Sequence, residues 1–467
     1  MRHFDLAIIG TGSGNTILDD RFADWDVAIA EKGVGSTGAF GGTCLNVGCI
    51  PSKMFVHTAD LAHSTEHGAK LGVQLALQGV SWPAIRDRIF GRIDPIANGG
   101  WRYRAQESDN VTLYDGTAHF TGLRQLQVTT ATGTENITAD RIVVAVGSRP
   151  TAPEVPGLAE VGYHTSDSVM RLSELPQRMT ILGTGLVSVE LAHVFSALGT
   201  EVTVVGRSGA LLRVEDTDIS QRFTELAEQR WDVRLHQRTR LAERDPTGQY
   251  VRLHLVGPDG PETVESDVLL VATGRRPNSD LVGASAGSLK VTEDERIDVD
   301  ATQATSVPGV WALGDVSSPY QLKHVANWEA RTVQHNLLHP DSPTTTDHRA
   351  VPHAVFASPQ IAAVGLTEQE AISRGVEYVT AFQDYADIAY GWAMEDTASF
   401  AKLLADPHTR QLLGAHIIGP EASTLIQPLI QAMQFGLDVD TMARGQYWIH
   451  PAMPELVENA LLNLPEQ

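Results

Sequence analysis

The sequence predicts an α/β fold with two Rossmann-like units, followed by a smaller C-terminal α+β unit. Two glycine-rich hexapeptides carry this prediction, because each directly follows a short apolar strand pattern: GTGSGN begins at Gly10 and GTGLVS begins at Gly183. A strand, a glycine-rich turn and a helix form the start of a βαβ unit, whose backbone amides can hold a pyrophosphate. We therefore predict two dinucleotide-binding domains. The predicted boundaries are 1–150 for the first, 151–272 for the second, 273–340 for a return segment that completes the first, and 341–467 for the C-terminal domain.

Composition restricts the classes of function. The 467 residues carry a formal net charge of −22, so neither nucleic acid nor an anionic membrane surface is an expected partner. The sequence contains no run of about 18 apolar residues that could span a bilayer. The first ten residues enter a strand pattern at once, which leaves no room for a signal peptide. We expect a cytoplasmic protein that acts on a small molecule, and we predict no metal site.

The first fingerprint departs from the usual pattern at one position. Gly10, Gly12 and Gly14 supply the glycine-rich turn, but Asn15 stands where the motif normally ends in Gly or Ala. Glu31 closes the next strand pattern, 21 residues after Gly10, where an acidic group would accept hydrogen bonds from a ribose hydroxyl. The sequence therefore predicts a dinucleotide site, with the closeness of helix–strand packing in question at Asn15.

Both cysteines of the chain, Cys44 and Cys49, stand in one stretch, GGTCLNVGCIPSK, at 41–53. In a regular helix, Cα atoms five residues apart exceed the roughly 7 Å limit for a disulfide, so the turn between them must be irregular if they bond. Gly48 relaxes the backbone there and Pro51 removes an amide donor. A strained bridge across so short a loop is easily reduced. We interpret the pair as a redox centre rather than as two separate buried thiols.

This stretch resembles the redox-disulfide signature of the flavoprotein disulfide reductases, which include glutathione reductase and lipoamide dehydrogenase. The resemblance implies a homodimeric FAD enzyme whose C-terminal domain forms the subunit interface. It implies that Cys49 is the flavin-proximal thiol and Cys44 the interchange thiol. It also implies an ion pair between Lys53 and Glu190 beside the flavin.

A second element of the resemblance lies near the C-terminus. His450-Pro-Ala-Met-Pro-Glu455 matches the acid–base dyad of the family, although an isolated pair of this kind is more often a loop histidine with an incidental glutamate. In the family this histidine comes from the partner subunit. The resemblance therefore implies active sites that are shared between two chains.

The resemblance also distributes the cofactors over the two fingerprints. The residues implied for FAD are Gly10, Gly12, Gly14, Asn15, Glu31, Gly42, Thr43, Lys53, Gly147 and Asp315. The residues implied for NADPH are Gly183, Gly185, Arg207, Arg213 and Gly274.

The choice of NADPH over NADH depends on two arginines. The strand VTVV after the second fingerprint ends at Gly206, where an NAD enzyme would place a carboxylate for the ribose 2′-hydroxyl. Arg207 follows at once and Arg213 comes six residues later, which is enough positive charge for a 2′-phosphate. The alternative is two ordinary surface arginines on a loop. The spacing favours NADPH.

The disulfide substrate is less strongly determined. Glutathione reductase has a basic residue on its first helix for glutathione carboxylates, and the matching position here is Asp20, next to Asp19. These acids favour a disulfide with neutral sugar ends, such as mycothione, and three segments, including 390–397, resemble the mycothione-reducing members of the family. Dihydrolipoamide dehydrogenase, or another disulfide reductase of the family, stays open as an alternative. A non-catalytic flavoprotein subunit is a further alternative, against which the intact Cys44, Cys49 and His450 argue.

Overall fold

The computed structural model describes residues 1–465. The strands in this range are β1 (Arg2–Ile9), β2 (Val27–Glu31), β3 (Val111–Gly122), β4 (Gln125–Thr130), β5 (Gly133–Val144), β6 (Ser148–Pro150), β7 (Arg178–Leu182), β8 (Glu201–Val205), β9 (Asp232–Arg234), β10 (Arg238–Arg244), β11 (Val251–Gly257), β12 (Gly260–Ser266), β13 (Val268–Val271), β14 (Arg275–Pro277), β15 (Val310–Ala312), β16 (Pro352–Val355), β17 (Ile361–Gly365), β18 (Val379–Asp384), β19 (Phe400–Ala405) and β20 (Leu412–Ile418). The α-helices are α1 (Gly42–Asn46), α2 (Cys49–His67), α3 (Trp82–Arg102), α4 (Ser166–Val169), α5 (Leu186–Ala197), α6 (Thr217–Ala227), α7 (Lys323–Leu338), α8 (Glu368–Arg374), α9 (Ala389–Met394), α10 (Ala422–Leu425), α11 (Gln427–Phe435), α12 (Val439–Arg444) and α13 (Glu455–Leu462). None of these helices is both long and apolar enough to cross a membrane.

The first unit is built on a parallel sheet. Its strands lie in the order β3, β2, β1, β5 and β15, and β4 pairs antiparallel with both β3 and β5. The last four residues of β1, Leu6 to Ile9, are all buried, as expected for a parallel strand that is covered on both faces. Strand β15 joins this sheet although the whole second unit separates it from β5 in sequence. The chain therefore returns to the first unit.

The second unit has a parallel sheet in the order β13, β7, β8 and β9, next to an antiparallel sheet of β10, β11 and β12. The C-terminal unit is an antiparallel sheet in the order β16, β17, β20, β19 and β18, with helices on it. The predicted fold class is therefore confirmed: two Rossmann-like units and a C-terminal α+β unit. The boundaries at 150, 272 and 340 stay predictions.

The helix expected after the first fingerprint is absent from the described residues. Two 3₁₀ turns, Gly14–Thr16 and Asp20–Phe22, take its place. The buried guanidinium of Arg104 donates to the carbonyl oxygens of Asn15 and Leu18, at 3.1 and 3.4 Å, and to Asn15 Oδ1 at 2.8 Å. Because a side chain satisfies carbonyls that amides of an α-helix would otherwise bond, the segment is stable without one.

The first fingerprint packs closely against the sheet at Gly14, not at Asn15. An ideal Cβ on Gly14 would lie 2.8 Å from Cβ of Ala145 and 3.0 Å from Cγ2 of Ile8, which is too close for any side chain. The close approach of the turn to the sheet therefore occurs at Gly14, one position before the end of the motif. Asn15 faces Arg104 instead and does not obstruct the packing.

The apolar spacing around Leu61, Ile85, Ile89 and Ile93 predicts helix over residues 60–110, but the structure interrupts it. Helix α2 ends at His67, α3 begins at Trp82, and residues 73–81 are neither helix nor strand. The apolar side chains in this interval recur at every second position, which suits an extended backbone rather than a helix. They are Val73, Leu75 and Leu77.

A buried ion cluster joins the second unit to the C-terminal unit. Nζ of Lys402, on β19, lies 2.8 Å from Asp216, 2.5 Å from Asp218 and 2.6 Å from Glu368. The side chains of Lys402 and Asp216 are both 0% exposed. Burial favours the neutral form of the Asp216 carboxyl, but Lys402 and the Glu368 amide outweigh it and hold the pKa of Asp216 below its usual value.

We expect Lys402→Met to lower the free energy of unfolding by about 3–5 kcal/mol, because it leaves the buried Asp216 carboxylate without its cation. Equilibrium guanidinium denaturation measures this change. Lys290→Met removes the same charge from an exposed site and should stay within about 0.5 kcal/mol of wild type. Equal denaturation midpoints for the two variants would show that the cluster does not stabilise the fold.

Candidate functional site

The two cysteines lie on either side of a break between two helices. Helix α1 ends at Asn46 and α2 begins at Cys49; between them, Val47 has φ −141° and ψ 8°, and Gly48 has φ −130° and ψ −117°. The turn between the thiols is irregular, as the prediction required. Pro51 is the third residue of α2, where an amide would have no intrahelical acceptor, so its missing N–H costs no helix bond.

The two thiols differ in their acidity. Both are free in the structure, Cys44 partly buried and Cys49 exposed. A hydrogen bond from the Cys44 thiol lowers the pKa of Cys49 to about 7, assisted by the charge of Lys53 and opposed by burial. The same hydrogen bond, together with burial, raises the pKa of Cys44. The negative charge of the reduced pair therefore resides on Cys49 and the proton on Cys44.

Lys53 and Glu190 form the ion pair that the resemblance implies. Nζ of Lys53 lies 2.7 and 2.6 Å from the two carboxylate oxygens of Glu190, which is buried on α5. Oε1 of Glu190 also accepts a hydrogen bond from the amide of Phe356 at 2.9 Å. The Lys53 ammonium lies 4.6 Å from the centre of the Phe356 ring. The pair thus fixes the cysteine helix against both other units.

One cavity of about 2240 Å³ connects most of the predicted site residues. Both cysteines, Lys53 and Glu190 line it, together with both glycine fingerprints. The other predicted residues on its wall are Glu31, Gly42, Thr43, Gly147, Arg207, Arg213, Gly274 and Asp315. Gly14, Asn15, His450 and Glu455 do not line it.

The first fingerprint forms a bare-backbone cradle that fits FAD. An ideal Cβ on Gly10, whose φ is +98°, would lie 2.4 Å from the carbonyl oxygen of Ala145. An ideal Cβ on Gly42, whose φ is +75°, would lie 2.5 Å from Cα of Gly12. Two loops can approach each other this closely only because neither has a side chain at the contact. The same absence lets a pyrophosphate reach the backbone amides.

Two carboxylates flank the cradle. Glu31 accepts hydrogen bonds from the Thr11 amide at 2.7 Å and from the Gly33 amide at 2.6 Å, so it shapes the turn and keeps lone pairs for a ribose hydroxyl. Asp315 accepts a 2.6 Å hydrogen bond from the hydroxyl of Ser148, the first residue of β6. Sequence reasoning missed Glu329, which is buried on α7 and accepts the Gly314 amide at 2.7 Å, directly beside Asp315.

The second fingerprint faces a group of arginines. Arg207 and Arg213 are exposed on the cavity wall, and neither has a hydrogen-bond or ion-pair partner in the part of the chain that the structure describes. Arg238 and Arg240, at the start of β10, line the same cavity and were not predicted. Four arginines on the wall of one cavity, in a chain with net charge −22, suit a ligand with several phosphates.

The His450–Glu455 pair predicted as an acid–base dyad is hydrogen-bonded but lies away from the thiols. Nδ1 of His450 is 2.6 Å from Oε1 of Glu455, and the other carboxylate oxygen accepts the Ala452 amide at 3.2 Å. The hydrogen bond with His450 lowers the pKa of Glu455. The His450 side chain is 71% exposed and does not line the cavity of Cys44. A single chain therefore does not bring the dyad to the cysteines.

The charge argument drawn from Asp19 and Asp20 is not supported. Oδ1 and Oδ2 of Asp19 accept hydrogen bonds from the Arg21 guanidinium at 3.0 and 2.5 Å, and this hydrogen-bonded ion pair lowers the pKa of Asp19. Gln334 also donates to Asp19. Neither carboxylate lines the cavity that contains Cys44. The sequence spacing could not show that the next residue, Arg21, neutralises one of the two acids.

Comparisons with known proteins place the chain in a family. The sequence profile described as "Pyridine nucleotide-disulphide oxidoreductase" matches residues 4–330, and the profile of the dimerisation domain of the same family matches residues 351–461. The chain belongs to the pyridine nucleotide-disulphide oxidoreductase family. It is therefore an oxidoreductase with a C-terminal dimerisation domain, and its cofactors are FAD and NADPH.

Individual relatives agree with this assignment. The chain is 50% identical to mycothione reductase of Mycobacterium tuberculosis, over 99% of this chain and 100% of that protein. It is 33% identical to mercuric reductase of Streptomyces lividans, over 94% and 92% of the two chains. Among solved structures, the HOCl-induced flavoprotein disulfide reductase RclA of Escherichia coli, as its Cu(II) complex, superposes with a TM-score of 0.85 at 27% identity, over 99% of both chains.

We expect Arg207→Ala to weaken the binding of NADPH by about 1.5–3 kcal/mol, as the loss of a charge-assisted phosphate contact does. NADH lacks the 2′-phosphate and serves as the internal control, so its KM should not change. Steady-state kinetics with both coenzymes test the assignment. An equal rise of both KM values would mean that Arg207 does not contact the 2′-phosphate.

Proposed function

We propose that this chain reduces mycothione to mycothiol with electrons from NADPH, through a redox-active disulfide between Cys44 and Cys49. The observation that supports mycothione as the substrate is the 50% identity to an enzyme named mycothione reductase. This identity extends over 99% of this chain and 100% of that enzyme. The observation that supports the chemistry is the thiol pair itself, held across a helix break on the wall of the cofactor cavity.

The proposed reaction uses the two thiols in sequence. Bound FAD supplies the transfer of an electron pair from NADPH to the Cys44–Cys49 disulfide. Cys44, as a thiolate, attacks one sulfur of the substrate disulfide; that S–S bond breaks, a mixed disulfide forms on Cys44, and the first mycothiol leaves. The Cys49 thiolate then attacks the sulfur of Cys44, which releases the second mycothiol and restores the internal disulfide. Two electrons and two protons are consumed in each cycle.

Proton transfer is assigned to His450. Cys44 holds the proton of the reduced pair because its pKa is raised, so attack on the substrate requires a base, and each departing thiolate requires a proton. An imidazole can both accept and release a proton, which suits both transfers, and Glu455 fixes the orientation of the His450 ring through Nδ1. The remaining ring nitrogen, Nε2, is then free to face the sulfur atoms.

We infer that His450 acts in the site of the partner subunit. The His450 side chain is exposed and away from the cavity of its own chain, and it belongs to the segment matched by the dimerisation domain. An isologous dimer with two-fold symmetry would complete both sites in the same way.

The substrate is tested by parallel assays of NADPH oxidation with mycothione, glutathione disulfide and lipoamide. We expect kcat/KM for mycothione to exceed that for each other disulfide by more than about 100-fold, or roughly 2.7 kcal/mol. Cys44→Ser, assayed with each substrate, controls for oxidation of NADPH by oxygen. Equal values for mycothione and lipoamide would instead support a dihydrolipoamide dehydrogenase.

The shared site is tested with mixed dimers, isolated by two different affinity tags. One chain carries Cys44→Ala and the other carries His450→Ala. If the site is shared, one of the two sites has both lesions and the other has none, so the mixed dimer should have about half of the wild-type activity. If each His450 serves its own chain, every site carries one lesion and the dimer should be inactive.

A matched control reverses these outcomes. A chain with both substitutions is paired with a wild-type chain. A shared site then gives every site one lesion and no activity, whereas a site within one chain leaves half of the activity. Half-activity in this second dimer would refute the shared site.

A further inference from the structure

His353 pairs with a buried carboxylate next to the predicted coenzyme site. It lies on β16 of the C-terminal unit, and its Nε2 is 2.8 and 2.9 Å from the two carboxylate oxygens of Glu215. The Glu215 side chain is 2% exposed, and both residues line the cofactor cavity. Because Nε2 faces two acceptors, it carries a proton and donates to the carboxylate. The pair joins the C-terminal unit to the loop 206–216, which contains Arg207 and Arg213.

Arg213 stands in a four-residue turn of this loop whose two ends are fixed. The amide of Glu215 donates to the carbonyl of Leu212 at 2.9 Å, so Arg213 lies at the exposed tip. Leu212 is buried, and its amide donates to the carbonyl of Thr184, in the second fingerprint, at 2.8 Å. At the other end, Gln369 of α8 donates to the carbonyl of Glu215 at 2.8 Å. The position of Arg213 therefore depends on contacts at both ends of the turn.

The charge of Glu215 is as important to the turn as its backbone bonds. Its carboxylate lies on the cavity wall, two residues from Arg213. A buried carboxylate that has lost its cation is strongly unfavourable, so it would take the nearest guanidinium as a partner or repel a phosphate. His353 prevents both, because its Nε2 bonds both oxygens.

His353 belongs to a row of basic side chains on the C-terminal sheet. Across β16, β17, β20 and β19, one row of paired positions consists of His353, Ala363, His416 and Lys402. Residues that are directly opposite each other point to the same face of a sheet. The first member of the row bonds Glu215 and the last bonds Asp216. The row thus meets consecutive acidic residues at the end of the loop 206–216.

The other titratable groups around His353 have partners of their own. Lys402 bonds the three carboxylates of the buried ion cluster. His416 donates to a backbone carbonyl at 2.9 Å, and burial lowers its pKa. His324 of α7 donates to a backbone carbonyl at 2.8 Å. At His353, burial favours the neutral imidazole, but the hydrogen bond and charge of Glu215 outweigh it and raise the pKa of His353.

We propose that His353 is a positioning residue for the coenzyme, which pairs the Glu215 carboxylate and so keeps Arg213 available for the 2′-phosphate of NADPH. The proposal rests on the assignment of Arg207 and Arg213 to that phosphate, and not on mycothione as the substrate. Without a charged His353, the carboxylate of Glu215 competes with the phosphate for Arg213. The C-terminal unit therefore contributes to coenzyme selection in the second unit.

The experiment measures binding of adenosine 2′,5′-bisphosphate and of adenosine 5′-monophosphate to the FAD-loaded protein by titration calorimetry. The two probes differ by the 2′-phosphate. We expect His353→Leu to raise Kd for the bisphosphate about tenfold and to leave Kd for the monophosphate within about twofold of wild type. The control is His254→Leu, which breaks an exposed pair with Glu243, 3.0 Å long and away from the cavity. It should change neither Kd.

A second substitution separates charge from packing. Glu215→Gln, added to His353→Leu, removes the carboxylate that has lost its partner. We expect this double variant to bind the bisphosphate within about threefold of wild type, because two residues in contact are strongly coupled. FAD absorbance verifies that each variant is folded. If His353→Leu weakens both probes equally, or if the second substitution restores nothing, His353 only supports the fold and the proposal is wrong.

The pH dependence of binding tests the charge of His353 directly. His353→Gln keeps an N–H donor for Glu215 but cannot become charged. Titration of the phosphate itself is common to both proteins, so the difference between their Kd profiles from about pH 5.5 to 9 reports the imidazole. Since the pKa of His353 is raised, wild type should bind the bisphosphate more tightly at low pH and lose this advantage as the pH rises through that pKa. Identical profiles would contradict the proposal.

Arg213→Ala distinguishes this proposal from the coenzyme assignment on which it rests. If Arg213→Ala does not weaken binding of the bisphosphate, the assignment and the proposal are both wrong. If Arg213→Ala weakens it and His353→Leu does not, only the role of His353 is refuted. Neither probe is a disulfide, so a failure to reduce mycothione would leave these results unchanged.

Discussion

The carboxylate of Glu190 is the single group on which the arrangement of the site depends. It is buried on a helix of the second unit, it bonds the ammonium of the cysteine helix, and it accepts an amide from the C-terminal unit. Three parts of the chain that are far apart in sequence therefore meet at two oxygen atoms. A buried carboxylate needs such partners, because an unpaired charge in this position would destabilise the fold by several kcal/mol. Because the Glu190 carboxylate must be paired, its bond to Lys53 also fixes the helix that begins at Cys49, and with it the position of the two cysteines.

Local patterns predicted what depends on local chemistry. The glycine turns, the strands that precede them and the irregular helix break at Gly48 follow from backbone sterics, which a sequence displays directly. The pairing of Lys53 with Glu190, 137 positions apart, could be expected only from the resemblance to a family. Strand β15 could likewise be assigned to the first sheet only through the same resemblance.

What could not be predicted depends on contacts made in three dimensions. Arg104 replaces an expected helix by bonding carbonyls almost 90 residues earlier, and nothing in its own neighbourhood indicates this. Arg21 neutralises Asp19, which spacing alone treated as a free acid.

The ion cluster at Lys402 limits how coenzyme preference could be redesigned. Arg213 belongs to the loop on the cavity wall, yet two residues later Glu215 bonds His353 at 2.8 Å, and Asp216 bonds Lys402. Within three positions, from Arg213 to Asp216, the loop therefore passes from the cavity wall to the contact that joins the second unit to the C-terminal unit. A loop transplanted from an NADH-dependent relative should end at residue 214. A longer graft would also replace Glu215 and Asp216, which bond the C-terminal unit. The resulting loss of stability would then be mistaken for a loss of coenzyme binding.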